Sequence, residues 1–227
     1  MTQMSDFTLA TARPLPVIVL ADVSGSMSEH GKIDSLNRAI TEMITSFAAE
    51  RAERAEIQVA VITFGAGGAR IHTELTSAGK TVWNPMRADG PTPLGDAVEV
   101  ATRLVEDRQR IPGRAYRPAL VLVSDGHPTD ANGRASDNWK LPVQRLLESE
   151  RGGRADRFAL AIGDDADEAM LSAFLADPAK SVLRASEAGQ IQAFFRWVTM
   201  SVTARSRSAT PNALLLPPPP DLEADAF

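Results

Sequence analysis

The side chains in this sequence with the most obvious chemistry are oxygens. Asp22, Ser24 and Ser26 fall at alternate positions in "VIVLADVSGSMSEHGK", directly after an apolar run. A turn needs polar residues, but it does not need these three in this register. Two further polar loops carry matching groups: Thr92 in "ADGPTPLGDA" (88–97) and Asp125 in "VSDGHPTD" (123–130). Together they offer two carboxylates and three hydroxyls. There is no cysteine, and the three histidines lie far apart in the chain, so a metal bound here must be held by oxygen. Such a set suits a hard divalent ion, Mg²⁺ first and Mn²⁺ or Ca²⁺ next, and would hold Zn²⁺ or copper poorly. An ion held directly by neutral hydroxyls keeps more of its positive charge than one ringed by carboxylates. It is left able to attract one more anion.

For these loops to meet, the chain must bring them to one edge. Four segments read as strands buried on both faces: "PVIVLA" (16–21), "IQVAVITF" (57–64), "PALVLVS" (118–124) and "RFALAIG" (157–163). Between them, Ile33, Leu36, Ile40, Ile44 and Phe47 keep one helical apolar stripe, and Leu94, Val98, Ala101 and Val105 keep another. Weaker patterns predict a strand at 71–75, helices near 138–150 and 167–176, a strand near "SVLRA" (181–185) and a last helix over about 187–204. This alternation predicts an α/β fold, a doubly wound, mostly parallel central sheet with helices on both faces. In such sheets ligands gather at the carboxyl ends of the strands, near the point where strand order reverses, which is where all three polar loops should lie.

The length of 227 residues fits one substantial core. The expected division is an N-terminal extension (1–14), one domain (15–204) and a proline-rich, flexible tail (205–227). A net charge of −5 and the lack of a long basic run exclude general affinity for nucleic acid or an anionic membrane. The N-terminal stretch has neither the basic start nor the apolar run of a signal peptide, and no run is long enough to span a membrane. The expected location is the cytoplasm.

The order D-x-S-x-S, then Thr in a G-x-T-P-L loop, then S-D-G after a buried strand resembles the metal-ion-dependent adhesion site (MIDAS) of von Willebrand factor A domains, over residues 15–204. The resemblance implies that Asp22, Ser24, Ser26, Thr92 and Asp125 hold one divalent cation whose open position takes an Asp or Glu from a protein partner. It further implies two site arrangements coupled to movement of the last helix. The "SDGHPTD" loop and the "IQAFFRWVTMSV" helix are similar to the bacterial TerY-like proteins associated with tellurium resistance and stress response. That likeness implies a protein kinase and a PP2C-type phosphatase as partners.

Plainer roles compete for some of these residues. Ser24 and Ser26 alone would serve as turn or helix-cap residues. Asp130 reads as a cap for the segment after it, His127 as a solvated loop residue, and Phe194, Phe195, Trp197 and Val198 as a docking stripe. The stretch 108–117 reads as a solvated connection. No nucleophile elbow, no paired aspartate two positions after Asp22 and no phosphate-binding loop is present, so the chain reads as a binding module and not an enzyme. The alternatives are an adaptor for an AAA+ ATPase of the MoxR or chelatase kind and, of another class, a metal-dependent phosphohydrolase.

Overall fold

The computed structural model describes residues 12–52, 54–130, 132–213 and 217–222. Its strands are β1 (Arg13–Asp22), β2 (Ala55–Gly65), β3 (Gly68–Ser77), β4 (Ala119–Ser124), β5 (Asp156–Ile162) and β6 (Leu183–Ala185). Its helices are α1 (Lys32–Ala49), α2 (Leu94–Glu106), α3 (Lys140–Glu148), α4 (Glu168–Leu175) and α5 (Ala188–Arg207). The strands form one sheet in the order β3-β2-β1-β4-β5-β6. Every pairing is parallel except β2 with β3. The expected fold class holds, and the antiparallel edge follows from the short Gly-rich turn "GAGG", which is too short for a crossover.

Side chains alternate across the sheet. Val17 and Val19 of β1, Val59 and Val61 of β2, and Val121 and Val123 of β4 pack with α1 and α5 on one face. Ile18, Leu20, Ile62, Leu120 and Leu122 pack with α2, α3 and α4 on the other. Burial on both faces is why the strands read as continuous apolar runs. Pro14 and Pro16 are tolerated in central β1 because its pairing with β4 begins only at Val17.

Parts of the segment 205–222 pack against the domain. Helix α5 continues to Arg207, past the point where apolar periodicity stops, because the residues buried in its last turn are Arg205 and Ser206. From there the chain runs back along α5. Arg205 Nε donates to Pro211 O (3.2 Å), Trp197 Nε1 to Pro217 O (3.1 Å) and Gln190 Nε2 to Leu222 O (2.6 Å). Residues 190, 197 and 205 are seven and eight apart, which puts them on one helical stripe. A proline-rich segment has no internal backbone hydrogen bonds, so its carbonyls are open to donors of this kind. Leu222 is buried in the α1/α5 core. Of the acidic residues at the C-terminus, Glu223 and Asp225 lie outside the described residues, as do residues 1–11 of the expected N-terminal extension.

Leu222→Ala should therefore cost about 2 kcal/mol, as for other buried leucines. Urea denaturation checks it. An unchanged midpoint would mean that the segment contributes nothing to the fold.

Candidate functional site

Strand β1 ends at Asp22 and β4 at Ser124, and these neighbouring strands mark the reversal of strand order, since β1 connects towards β2 and β4 towards β5. A crevice at the carboxyl end is forced there. Asp22 is fully buried. Its Oδ1 accepts from Ser24 N (2.8 Å) and its Oδ2 from Ser124 Oγ (2.6 Å). Ser24 Oγ lies 3.1 Å from Ser26 Oγ, and Ser26 Oγ donates to Asp125 Oδ1 at 2.7 Å. Four of the five expected residues thus join in one network of buried or half-buried oxygens.

The capping role open to Ser24 is not used. A 3-10 helix begins at Gly25, but the Ser24 side chain makes no cap hydrogen bond to it, and α1 starts after Gly31 instead. The hydroxyls of Ser24 and Ser26 face each other, and that of Ser26 also meets Asp125.

Thr92 enters the site by backbone bonds. Gly25 N donates to Gly90 O (2.9 Å), Asp89 N to Val23 O (2.8 Å) and Ala66 N to Asp89 O (2.7 Å), which tie the loop before α2 to the ends of β1 and β2. Two glycines make this approach possible. Gly90 has φ of +84°, and a Cβ there would sit 2.5 Å from Ala66 N. A Cβ on Gly65 would meet Val23 O at 2.7 Å. Thr92 itself is buried, its N–H donating to Thr129 Oγ1 (2.8 Å) and its carbonyl accepting from Thr129 N (3.0 Å). So the first, second and third polar loops are fastened to one another.

Burial raises the Asp22 carboxyl to about 6, against hydrogen bonds from Ser124 and Ser24 that lower it; Asp125 nearby adds a small upward push. Asp125 carries a cation that the motif did not announce. Lys32 Nζ is 2.7 Å from Asp125 Oδ2, with 17% of the lysine side chain exposed and none of the aspartate's. Ser124 and Thr129 were also missed as supports. The available signal for Lys32 was its place at the first position of α1, where the helix dipole disfavours a cation and another reason is needed.

Neighbouring residues take the plainer roles. Asp130 Oδ1 caps its own turn, accepting from Asn132 N and Arg134 N. His127 is exposed beside Asp167 at 3.3 Å. Phe194, Phe195 and Val198 are core.

The donor set suits an oxygen-seeking divalent ion: two carboxylates, three hydroxyls, and a buried Asp22 that receives hydrogen bonds but no cation. Among the described residues no group of three or more His, Cys, Asp or Glu comes together, so any ion here would depend on hydroxyls. None of their helices is long and apolar enough to cross a membrane.

Residues 17–127 match the family pattern described as von Willebrand factor type A domain. No curated protein sequence matches the chain. Among solved structures, a von Willebrand factor type A protein from Catenulispora acidiphila superposes with a TM-score of 0.63 at 17% identity, covering 85% of this chain and 43% of that one. The pilus adhesin SpaC from Lactobacillus rhamnosus GG gives 0.65 at 15%, covering 85% and 31%. Proximal thread matrix protein 1 from the mussel byssus, with a zinc-occupied MIDAS motif, gives 0.59 at 13%, covering 84% and 48%. The chain spans less than half the length of each. Residues 17–127 thus match the von Willebrand factor type A pattern, and over most of its length the chain shares the fold of these solved structures.

Proposed function

We propose that this chain is a metal-dependent protein-binding domain and not an enzyme. Asp22, Ser24, Ser26, Thr92 and Asp125 would hold one divalent cation, Mg²⁺ first, with Mn²⁺ or Ca²⁺ as alternatives. The ion, when bound, supplies a positive centre for an Asp or Glu side chain of a protein partner. The observation that carries this reading is the convergence of Asp22, Ser24, Ser26 and Asp125 in one hydrogen-bonded network in which Ser24 caps no helix. The hydroxyls offer neutral oxygens, Asp22 anchors the first loop by accepting from Ser24 N, and Thr129 fixes the backbone of Thr92.

The setting we propose is a bacterial, cytoplasmic tellurium-resistance or stress-response system, with a protein kinase and a PP2C-type phosphatase as partners, by likeness to the TerY-like proteins. The adhesin among the structural neighbours supports a protein-binding role, and the zinc in the mussel protein makes Zn²⁺ a necessary comparison in any metal titration.

Affinity capture from a bacterial lysate with Mg²⁺ and with EDTA tests the reading. Proteins retained only with Mg²⁺ are expected, and an AAA+ ATPase among them in place of a kinase or phosphatase would move the domain to the chelatase-type alternative. Thr92→Ala should cost about 1 kcal/mol or less in urea, because the bonds that hold this buried residue to Thr129 are made by its backbone. Metal-dependent capture should nevertheless fall about tenfold or more, the scale of one lost charge-assisted contact. Ion and partner must also strengthen each other's binding by the same factor. Capture indifferent to EDTA, or phosphoester hydrolysis that disappears in Asp22→Ala, would displace the binding role.

A further inference from the structure

We propose that Lys32 sets the charge of the oxygen cluster, holding down its affinity for a divalent ion and leaving the occupied site in need of one more anion. This rests on the reading of the cluster as a divalent-ion site.

Both oxygens of Asp125 are engaged by the protein: Oδ1 accepts from Ser26 Oγ and Oδ2 from Lys32 Nζ, each at 2.7 Å. Asp22 receives hydrogen bonds only, from Ser24 N and Ser124 Oγ. The two carboxylates are therefore not equivalent. One is compensated by an ammonium and the other is not, which leaves the cluster a single net negative charge. A divalent ion then makes the site net positive, and a partner's carboxylate restores balance. Without Lys32 the same ion would meet two uncompensated carboxylates, bind harder and have little left to attract a third.

The placement of Lys32 has no local explanation. It is the first residue of α1, where the helix dipole opposes a positive charge, and Gly31 ahead of it offers no side-chain cap. His30 and Gly31 both adopt left-handed backbone, with φ of 52° and 69°, which turns the chain so that the helix begins at this residue. On the far side lies Gly163, where an added Cβ would be 3.7 Å from Lys32 Nζ, so bare backbone faces the ammonium.

The test is Mn²⁺ titration of the full chain, followed by calorimetry, for wild type, Lys32→Gln, Lys32→Met and Lys32→Arg. Lys32→Gln, which keeps a hydrogen-bond donor and loses the charge, should bind Mn²⁺ at least about tenfold more tightly. That is the low end of the influence of a unit charge within a few ångströms of a divalent ion in a partly desolvated site. Lys32→Arg keeps the charge and should stay within about threefold of wild type. Metal-free Lys32→Met should melt below wild type, because it leaves Asp125 buried and unpaired. If it fails to fold, Lys32→Gln carries the comparison. With Mn²⁺ saturating, added acetate should raise the melting temperature of wild type more than that of Lys32→Gln. A folded Lys32→Gln that binds Mn²⁺ no more tightly than a wild type that does bind it overturns the role of Lys32 alone. Folded wild type and folded Lys32→Gln that both fail to bind overturn the metal reading itself, and this proposal with it.

Discussion

Asp22→Asn should make the metal-free protein more stable near neutral pH, by roughly 3 kcal/mol, while abolishing its response to Mg²⁺. The carboxyl is completely buried, and burial lifts it from 3.8 to about 6. Its folded value is higher than its unfolded one, so below about pH 3.8, where both states are protonated, it carries no penalty. Between 3.8 and about 6 the folded state holds the proton that the unfolded state has released, and stability falls as pH rises. Above about 6 the full cost of a buried, uncompensated carboxylate is present. Asparagine removes that charge and can keep the geometry, its oxygen accepting from Ser24 N and its amide donating to Ser124 Oγ, a hydroxyl able to accept. Urea denaturation in EDTA across pH 4 to 8 reads the difference between variant and wild type, which cancels other titrating groups. The difference should be small at the acid end and reach its maximum above about pH 6.5. A variant less stable than wild type at neutral pH would show that the Asp22 charge is compensated within the protein.

Arg205→Ala should cost about 3–5 kcal/mol, although the residue lies far along α5 from the oxygen cluster. The side chain is 1% exposed. Its Nη1 lies 3.0 Å from Asp156 Oδ2 as a charge contact without hydrogen-bond alignment. Its Nη2 donates to Arg117 O (2.7 Å) and its Nε to Pro211 O (3.2 Å). Burial pulls the guanidinium below its ordinary value, and Asp156 opposes that pull. Alanine would leave a void and two carbonyls without their donor, and Asp156 would lose its nearest cation and keep Arg117, 3.3 Å away. Arg205→Lys should recover less than half of the loss, because one ammonium cannot span three acceptors held by a planar fork. Urea midpoints with unchanged m values give the measurement. A loss below about 1 kcal/mol would place this contact with exposed ion pairs.

The strands, the five helices and the strand-buried loops that follow them were legible because burial on both faces writes long runs of Val, Ile and Leu, and helices write stripes. Asp22, Ser24, Ser26, Thr92 and Asp125 could be singled out as candidates because a hydroxyl and carboxylate set just past such runs has few structural uses, and the structure brings Asp22, Ser24, Ser26 and Asp125 into one network. The end of α5 was not legible, because the residues buried in its last turn are an arginine and a serine, which an apolar pattern does not register. The seat of Leu222 was hidden for a related reason: four prolines and an acidic neighbour read as a solvated spacer, while its carbonyl partner Gln190 lies 32 residues earlier in sequence.

The sequence by itself determined the alternation of strand and helix and the five oxygen-bearing residues proposed as donors, since both readings depend on local periodicity and on residue type at short spacing. Tertiary structure alone decided the charge of the cluster. Lys32 and Asp125 are 93 positions apart and meet only because β1 and β4 are neighbours at the reversal of strand order. It also decided which carboxylate is compensated. Coulomb energy depends on distance and on the exclusion of water, and neither can be read from a residue's place in the chain.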